Sequence, residues 1–199
     1  IGNVPMVFDA GTVFFPIAYV VGDILTEVYG FKRARRVIWY GFGALVFSFL
    51  MFLLIKILPG ETVWMTDGGQ DAFDMILGGL SSGGIVLASL AGYLGGSFSN
   101  AITMALMKNH TKGKHLWLRT IGSTLLGELL DTALFVGVAT ITGVFSKDLF
   151  WSLIITNYIF KVLVEVLCTP ITYWSVNRLK KSEGIDIYTD PKDLSPFAF

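Results

Sequence analysis

The sequence predicts an all-α protein, a polytopic membrane bundle with five transmembrane helices. Three observations carry that reading. Hydrophobic residues make up 53% of the 199 positions and charged residues only 15%, and mean hydropathy is +0.65; soluble domains carry about 25% charged residues. Five long apolar runs come close to or exceed the roughly 20 residues that a helix needs to cross a bilayer. The segments between them alternate between basic and non-basic, the pattern that cytoplasmic retention of Lys and Arg produces.

The first run covers residues 12–29 and contains Pro16, which in a span frees a backbone carbonyl and marks a bend beside a cavity. A second run, 37–58, is stopped by Pro59 and Gly60. The shorter stretch 73–80 ends in Gly and Ser and reads as a short helix on the outer face. Three further runs cover 83–107, 120–145 and 150–176. Lys32, Arg33, Arg35 and Arg36 follow the first run, and Lys108, Lys112, Lys114 and Arg119 follow the third. Arg178, Lys180 and Lys181 follow the fifth. The stretch from 59 to 74 holds Glu61, Asp67, Asp71 and Asp74 without a Lys or Arg, and the last loop holds only Lys147 and Asp148. This alternation predicts an external N-terminus and a cytoplasmic C-terminus. Trp39, Trp117 and Trp174 fall near the basic ends and Trp64 and Trp151 near the others, as interfacial belts require. Residues 1–181 form the membrane domain. Residues 182–199, polar and with Pro191 and Pro196, read as a cytoplasmic tail with little packing duty. The chain opens on Ile1 rather than Met, so further N-terminal residues are expected.

Several function classes fall away. Formal net charge is zero, which indicates no nucleic-acid surface. No Walker A pattern is present. Cys168 is the single cysteine, and His110 and His115 in a basic loop read as solvated side chains rather than metal ligands. No cofactor, no metal and no enzymatic activity are expected.

The chemistry lies in polar stripes at helical spacing. Residues four apart share a helix face, and the first run carries Tyr19, Asp23 and Glu27 in that register. Asp23 is nine residues from Lys32, about 13 Å at ~1.5 Å per residue, so it is deep. Glu27 is shallower and within reach of Lys32, Arg33 or Arg36. The third run shows Gly84, Ala88, Gly92, Gly96 and Asn100, a small-residue stripe that permits close helix approach. The fourth shows Ser123, Gly127 and Asp131, with Glu128 alongside; the fifth shows Asn157, Lys161, Glu165, Thr169 and Tyr173. Lys161 and Glu165 have the spacing of an intrahelical ion pair. Charges inside a bilayer cost about 2.5–3.5 kcal/mol each on insertion scales and mark functional sites. Five acids against one base leave an excess that protons, a cation or a hydrogen-bond-donating substrate must offset.

Three segments carry a family resemblance: Phe15-Pro16 with Gly22-Asp23-Ile24-Leu25-Thr26-Glu27-Val28-Tyr29-Gly30 and Ala34-Arg35-Arg36; Ser123-Thr124-Leu125-Leu126-Gly127-Glu128-Leu129-Leu130-Asp131-Thr132; and Tyr158-Ile159-Phe160-Lys161-Val162-Leu163. Together they resemble the queuosine precursor transporter family, from about residue 12 to 181. The resemblance implies a multi-pass protein of the prokaryotic cytoplasmic membrane with six helices, one of them not accounted for here. It also implies import of 7-deazaguanine bases for tRNA modification. A carboxylate can accept two hydrogen bonds from the N–H and amino group on one edge of such a base, a strong and selective pairing. Asp131 or Glu128 is assigned that role, with Asp23 next. Asn100, Asn157 or Lys161 would meet the carbonyl oxygen, Lys161 more readily by orienting Asp131 or Glu165. Tyr19, Tyr158 or Phe160 would stack on the ring. The implied partners are the base and the lipid bilayer; a homo-oligomer or an energising subunit stays open. An intramembrane aspartyl hydrolase and an ion channel or assembly factor are the alternatives from other classes.

Overall fold

The computed structural model describes residues 15–80 and 82–198. They form an all-α bundle: α1 (Phe15–Tyr29), α2 (Phe31–Ile57), α3 (Thr62–Thr66), α4 (Gly69–Leu80), α5 (Gly83–His110), α6 (Leu116–Ile141) and α7 (Phe150–Glu183). Four stretches, Phe31–Ile57, Gly69–His110, Leu116–Ile141 and Lys147–Glu183, are long and apolar enough to cross a membrane. The first predicted span is seen as the 15 residues of α1, and residues 12–14 lie outside the described part. The short outer helix expected over 73–80 is α4, which starts four residues earlier.

Local sequence sets the breaks. Gly30 separates α1 from α2 at φ 79°, and a side chain there would also strike Ile187 at 2.9 Å. The basic segment after it is not a loop: Lys32 to Arg36 form the first turns of α2. Leu58 is extended ahead of Pro59 and ends α2. The side chain of Glu61 caps α3 by accepting from the Val63 and Trp64 amides at 2.9 and 3.1 Å. Gly184 closes α7 in the left-handed conformation, its N–H donating to the Lys180 carbonyl. At ~1.5 Å per residue α7 is about 50 Å long, well beyond the ~30 Å hydrocarbon layer.

The interior inverts the soluble pattern. Asp23, Glu27, Lys108, Arg119, Glu128, Asp131, Lys161 and Glu165 are buried, while Phe47, Leu50, Leu54, Ile141, Leu163 and Leu167 face outward. An apolar solvent removes the usual reason to bury leucine and leaves polar groups to pair inside. The small stripe of α5 does what its spacing implies and seats that helix on α6. A Cβ at Gly96 would lie 2.6 Å from Asp131 Cβ and 3.1 Å from the Gly127 carbonyl.

The tail does not behave as a solvated extension. Ile187 N–H donates to the Val28 carbonyl at 3.2 Å, and Phe31 N–H to Thr189 Oγ1 at 3.0 Å. Arg35 and Trp39 donate to the Ser195 and Pro196 carbonyls at 2.7 and 2.9 Å. Ile185 and Leu194 pack onto the two apolar clusters built around Met104 and Phe98. Composition hid this role, because the tail docks mainly through its backbone, which no residue count registers. The same contacts gather the α1–α2 joint, the α5–α6 loop and the end of α7 at one end of the bundle, so all three basic segments share it.

Gly96→Ala is expected to lower thermal stability in detergent by roughly 1–3 kcal/mol through overpacking. Gly43→Ala, where an added Cβ meets nothing within 4 Å, is expected to leave the melting temperature unchanged or slightly raised.

Candidate substrate site

Two polar clusters occupy the core, one above the other along α1. The lower one forms on Glu27. Arg119 Nε and Nη2 donate to its two carboxylate oxygens at 3.1 and 2.8 Å, and Lys180 Nζ donates to Oε1 at 2.6 Å. Lys108 Nζ donates to the Glu27 carbonyl, to Asp186 Oδ1 at 2.5 Å and to the Ile187 carbonyl at 2.8 Å. Lys180 also pairs with Asp186 at 2.9 Å. Glu27 therefore pairs across the bundle with α6 and α7, not with Lys32, Arg33 or Arg36: those lie on a helix that leads away from it. Partial burial alone would raise the Asp186 carboxyl, but the hydrogen bonds and charges of Lys108 and Lys180 outweigh it and hold the group below the usual carboxylate range.

The upper cluster forms around Lys161. Its ammonium bonds Asp131 Oδ2, lies 3.1 Å from Glu128 Oε2 and sits 4.0 Å above the Phe15 ring. The intrahelical Lys161–Glu165 pair does not form. The two acids of α6 offer the ammonium a shared pocket across the helix interface, and an i,i+4 contact along α7 cannot compete with it. On the other side Asn100 donates to Asp23 Oδ1 at 2.7 Å. That bond uses one of the amide's two N–H donors, and its Oδ1 has no partner among the described residues. Asn157 is buried on α7.

Above these groups opens a cavity of about 650 Å³ between α1, α2 and α5, within the usual range for small-molecule sites. Its walls are largely apolar, and Phe15 and Ile17, flanking Pro16, line it. Tyr19, Asn100 and Asp131 form its polar floor together with Thr26 and Ser97. The Tyr19 hydroxyl and Asn100 Oδ1 are buried and have no hydrogen-bond partner among the described residues. A buried orphan of this kind asks for an explanation, and a ligand supplies one. The predicted residues thus divide. Tyr19, Asn100 and Asp131 meet the cavity, while Asp23, Glu128, Lys161, Asn157 and Glu165 do not line it. Thr26, Ser97 and Tyr93 line it without having been singled out. A stripe search for charge passes over such residues, although Ser97 lies one residue from the Gly96 stripe.

Comparison with known proteins gives the context. A family profile described as "Putative vitamin uptake transporter" matches residues 9–175. The chain belongs to that family. A protein of Bacillus subtilis (strain 168) named probable queuosine precursor transporter is 29% identical over 178 residues, covering 87% of this chain and 71% of the relative. The queuosine precursor transporter of Escherichia coli (strain K12) is 21% identical over 159 residues, covering 79% and 67%. A probable queuosine precursor transporter of Haemophilus influenzae is 24% identical over 160 residues, covering 79% and 63%. No solved structure matches the chain at a significant level. The family is one of membrane transporters and not of enzymes, so the aspartyl hydrolase reading is set aside.

Glu27→Gln is expected to cost about 3–5 kcal/mol of stability, the range for removing one partner of a buried ion pair, read as a large drop in detergent melting temperature. Asp186 gives a pH signature. Its folded pKa is depressed, so its contribution is complete above the unfolded value of about 3.9 and is lost as pH falls through the folded value. Melting curves of wild type and Asp186→Asn are expected to converge below about pH 4 and to separate above it.

Proposed function

We propose that the protein imports a queuosine precursor, a 7-deazaguanine base, across the prokaryotic cytoplasmic membrane for tRNA modification. The observation that carries this reading is Asp131 in the lining of the cavity, its carboxylate held by Lys161. One edge of a guanine-like base offers an N–H and an amino group side by side, and a fixed carboxylate accepts both. Asn100 Oδ1 is a further acceptor, and the Tyr19 hydroxyl is the donor for the base carbonyl. The apolar walls suit a flat ring, with Tyr93 and Phe15 beside it. The names of the relatives support the substrate class, which the side chains alone would not identify.

Glu128 and Lys161 act behind Asp131, neutralising and orienting it. Asp23 acts behind Asn100 and fixes its amide. Because the orphaned atoms are buried, a base reaches them only when Tyr19 or α1 shifts, a motion suited to alternating access. The end of the bundle that gathers the basic segments faces the cytoplasm in this reading, following the positive-inside rule, and the tail lies there.

The test is uptake of labelled 7-deazaguanine bases by cells unable to make queuosine. Asp131→Asn is expected to reduce uptake by about tenfold or more, equivalent to at least ~1.4 kcal/mol, at equal membrane abundance. Asp71→Asn, on exposed α4, is expected to match wild type. Equal uptake by wild type and Asp131→Asn would remove Asp131 from the site.

A further inference from the structure

Glu165 is left over when the charges of the core are assigned. The residue is 1% exposed, and neither carboxylate oxygen has a hydrogen-bond partner among the described residues. Its neighbours make an ionised state worse. The acids Glu128 of α6 and Asp23 of α1 are near enough to oppose its charge, while Tyr19 of α1 is a neutral neighbour whose hydroxyl makes no hydrogen bond to it. Asn100 of α5 gives its hydrogen bond to Asp23 and makes none to Glu165. The nearest cation, Lys161, one turn back on α7, is committed to Asp131 and Glu128. Glu27, the other acid of α1, is satisfied by Arg119, Lys180 and Lys108. Asp23, although its Oδ2 is also unpartnered, has a donor on Oδ1. Glu165 alone among these acids has neither a cation nor a donor.

An uncompensated buried carboxylate neutralises itself by taking up a proton. The same site fits a metal cation poorly. Such an ion requires a shell of several oxygens, and among the described residues no three His, Cys, Asp or Glu side chains are grouped to hold one. We propose that Glu165 is a proton-binding site that couples base import to proton entry. This rests on the transport reading above. Glu165 takes a proton from the external side, forming one O–H bond, and releases it to the cytoplasmic side when the bundle rearranges. No electrons move, and one positive charge enters with each neutral base. The carboxyl lies behind the Lys161 cluster, outside the cavity lining, so it senses the occupancy of Asp131 through Lys161 and Glu128 rather than touching the base.

The experiment uses purified full-length protein in liposomes loaded with a pH-sensitive dye, with a labelled 7-deazaguanine base as probe. Wild type is expected to exchange base without a gradient. Under an acid-outside gradient it should accumulate base by about tenfold per pH unit while the lumen acidifies only when base is present. Glu165→Gln mimics the protonated side chain. It is expected to keep exchange within about twofold of wild type but to lose both accumulation and acidification, and Glu165→Asp is expected to restore them. Infrared difference spectra need no transport: a protonated-carboxyl band at neutral pH is expected in wild type and missing in Glu165→Gln. Undiminished gradient-driven accumulation by Glu165→Gln, accumulation driven by sodium instead of protons, or an unchanged carboxyl band would each overturn the proposal. If wild type exchanges no base, the transport reading fails, and the infrared band then decides the proton site by itself.

Discussion

The buried carboxylate of Glu27 is the point on which the architecture turns. It is fully enclosed and would be untenable alone, so its presence obliges cations to converge on it from other elements. Arg119 comes from α6, Lys180 from α7 and Lys108 from α5, and the last two then recruit Asp186 from the tail. One acid on α1 thereby fixes the relative position of four helices and the C-terminal segment. In an apolar solvent, where helix association gains little from burying leucine, directional polar contacts of this kind are what specify a single arrangement. Three cations surround two acids, so each carboxylate there has its partners from within the protein and the cluster reads as structure.

The cluster around Lys161 follows a different logic. Its one cation is shared between two acids, and two more acids nearby have no cation. Unlike the Glu27 cluster, this site does not give each of its acids a cation. The glycines of α5 and α6 make this possible. They let the backbones approach until Asp131 lies against α5, which puts a charged floor under an otherwise apolar cavity. Close packing and chemistry are therefore not rival accounts of the small-residue stripe: the packing is what brings Asp131 against α5, where it joins the cavity lining.

Much of this was visible in the sequence, and more was there to be seen. The stripes predicted Tyr19, Asp23, Asn100, Glu128, Asp131, Lys161 and Glu165 as interior, and all of them are buried. The same four-residue spacing continues from Asn100 through Met104 to Lys108, and back from Ser123 to Arg119. Both basic residues were counted only as topology signals, yet they are 2% and 1% exposed. Extending each stripe past the apparent end of its span would have placed them in the core and given Glu27 two of its three partners.

By itself the sequence determined the all-α membrane class, the alternation of basic and non-basic segments and the faces that turn inward, because hydropathy, charge asymmetry and helical periodicity are properties of single segments. Only the tertiary structure decided which charge meets which. Lys161 leaves the acid on its own helix for two on α6, Asn100 turns its donor to Asp23, and a polar tail becomes a strap across the bundle's end. These are choices between partners of nearly equal sequence merit. They are settled by the distances that glycine packing and the Gly30 turn impose on helices far apart in the chain.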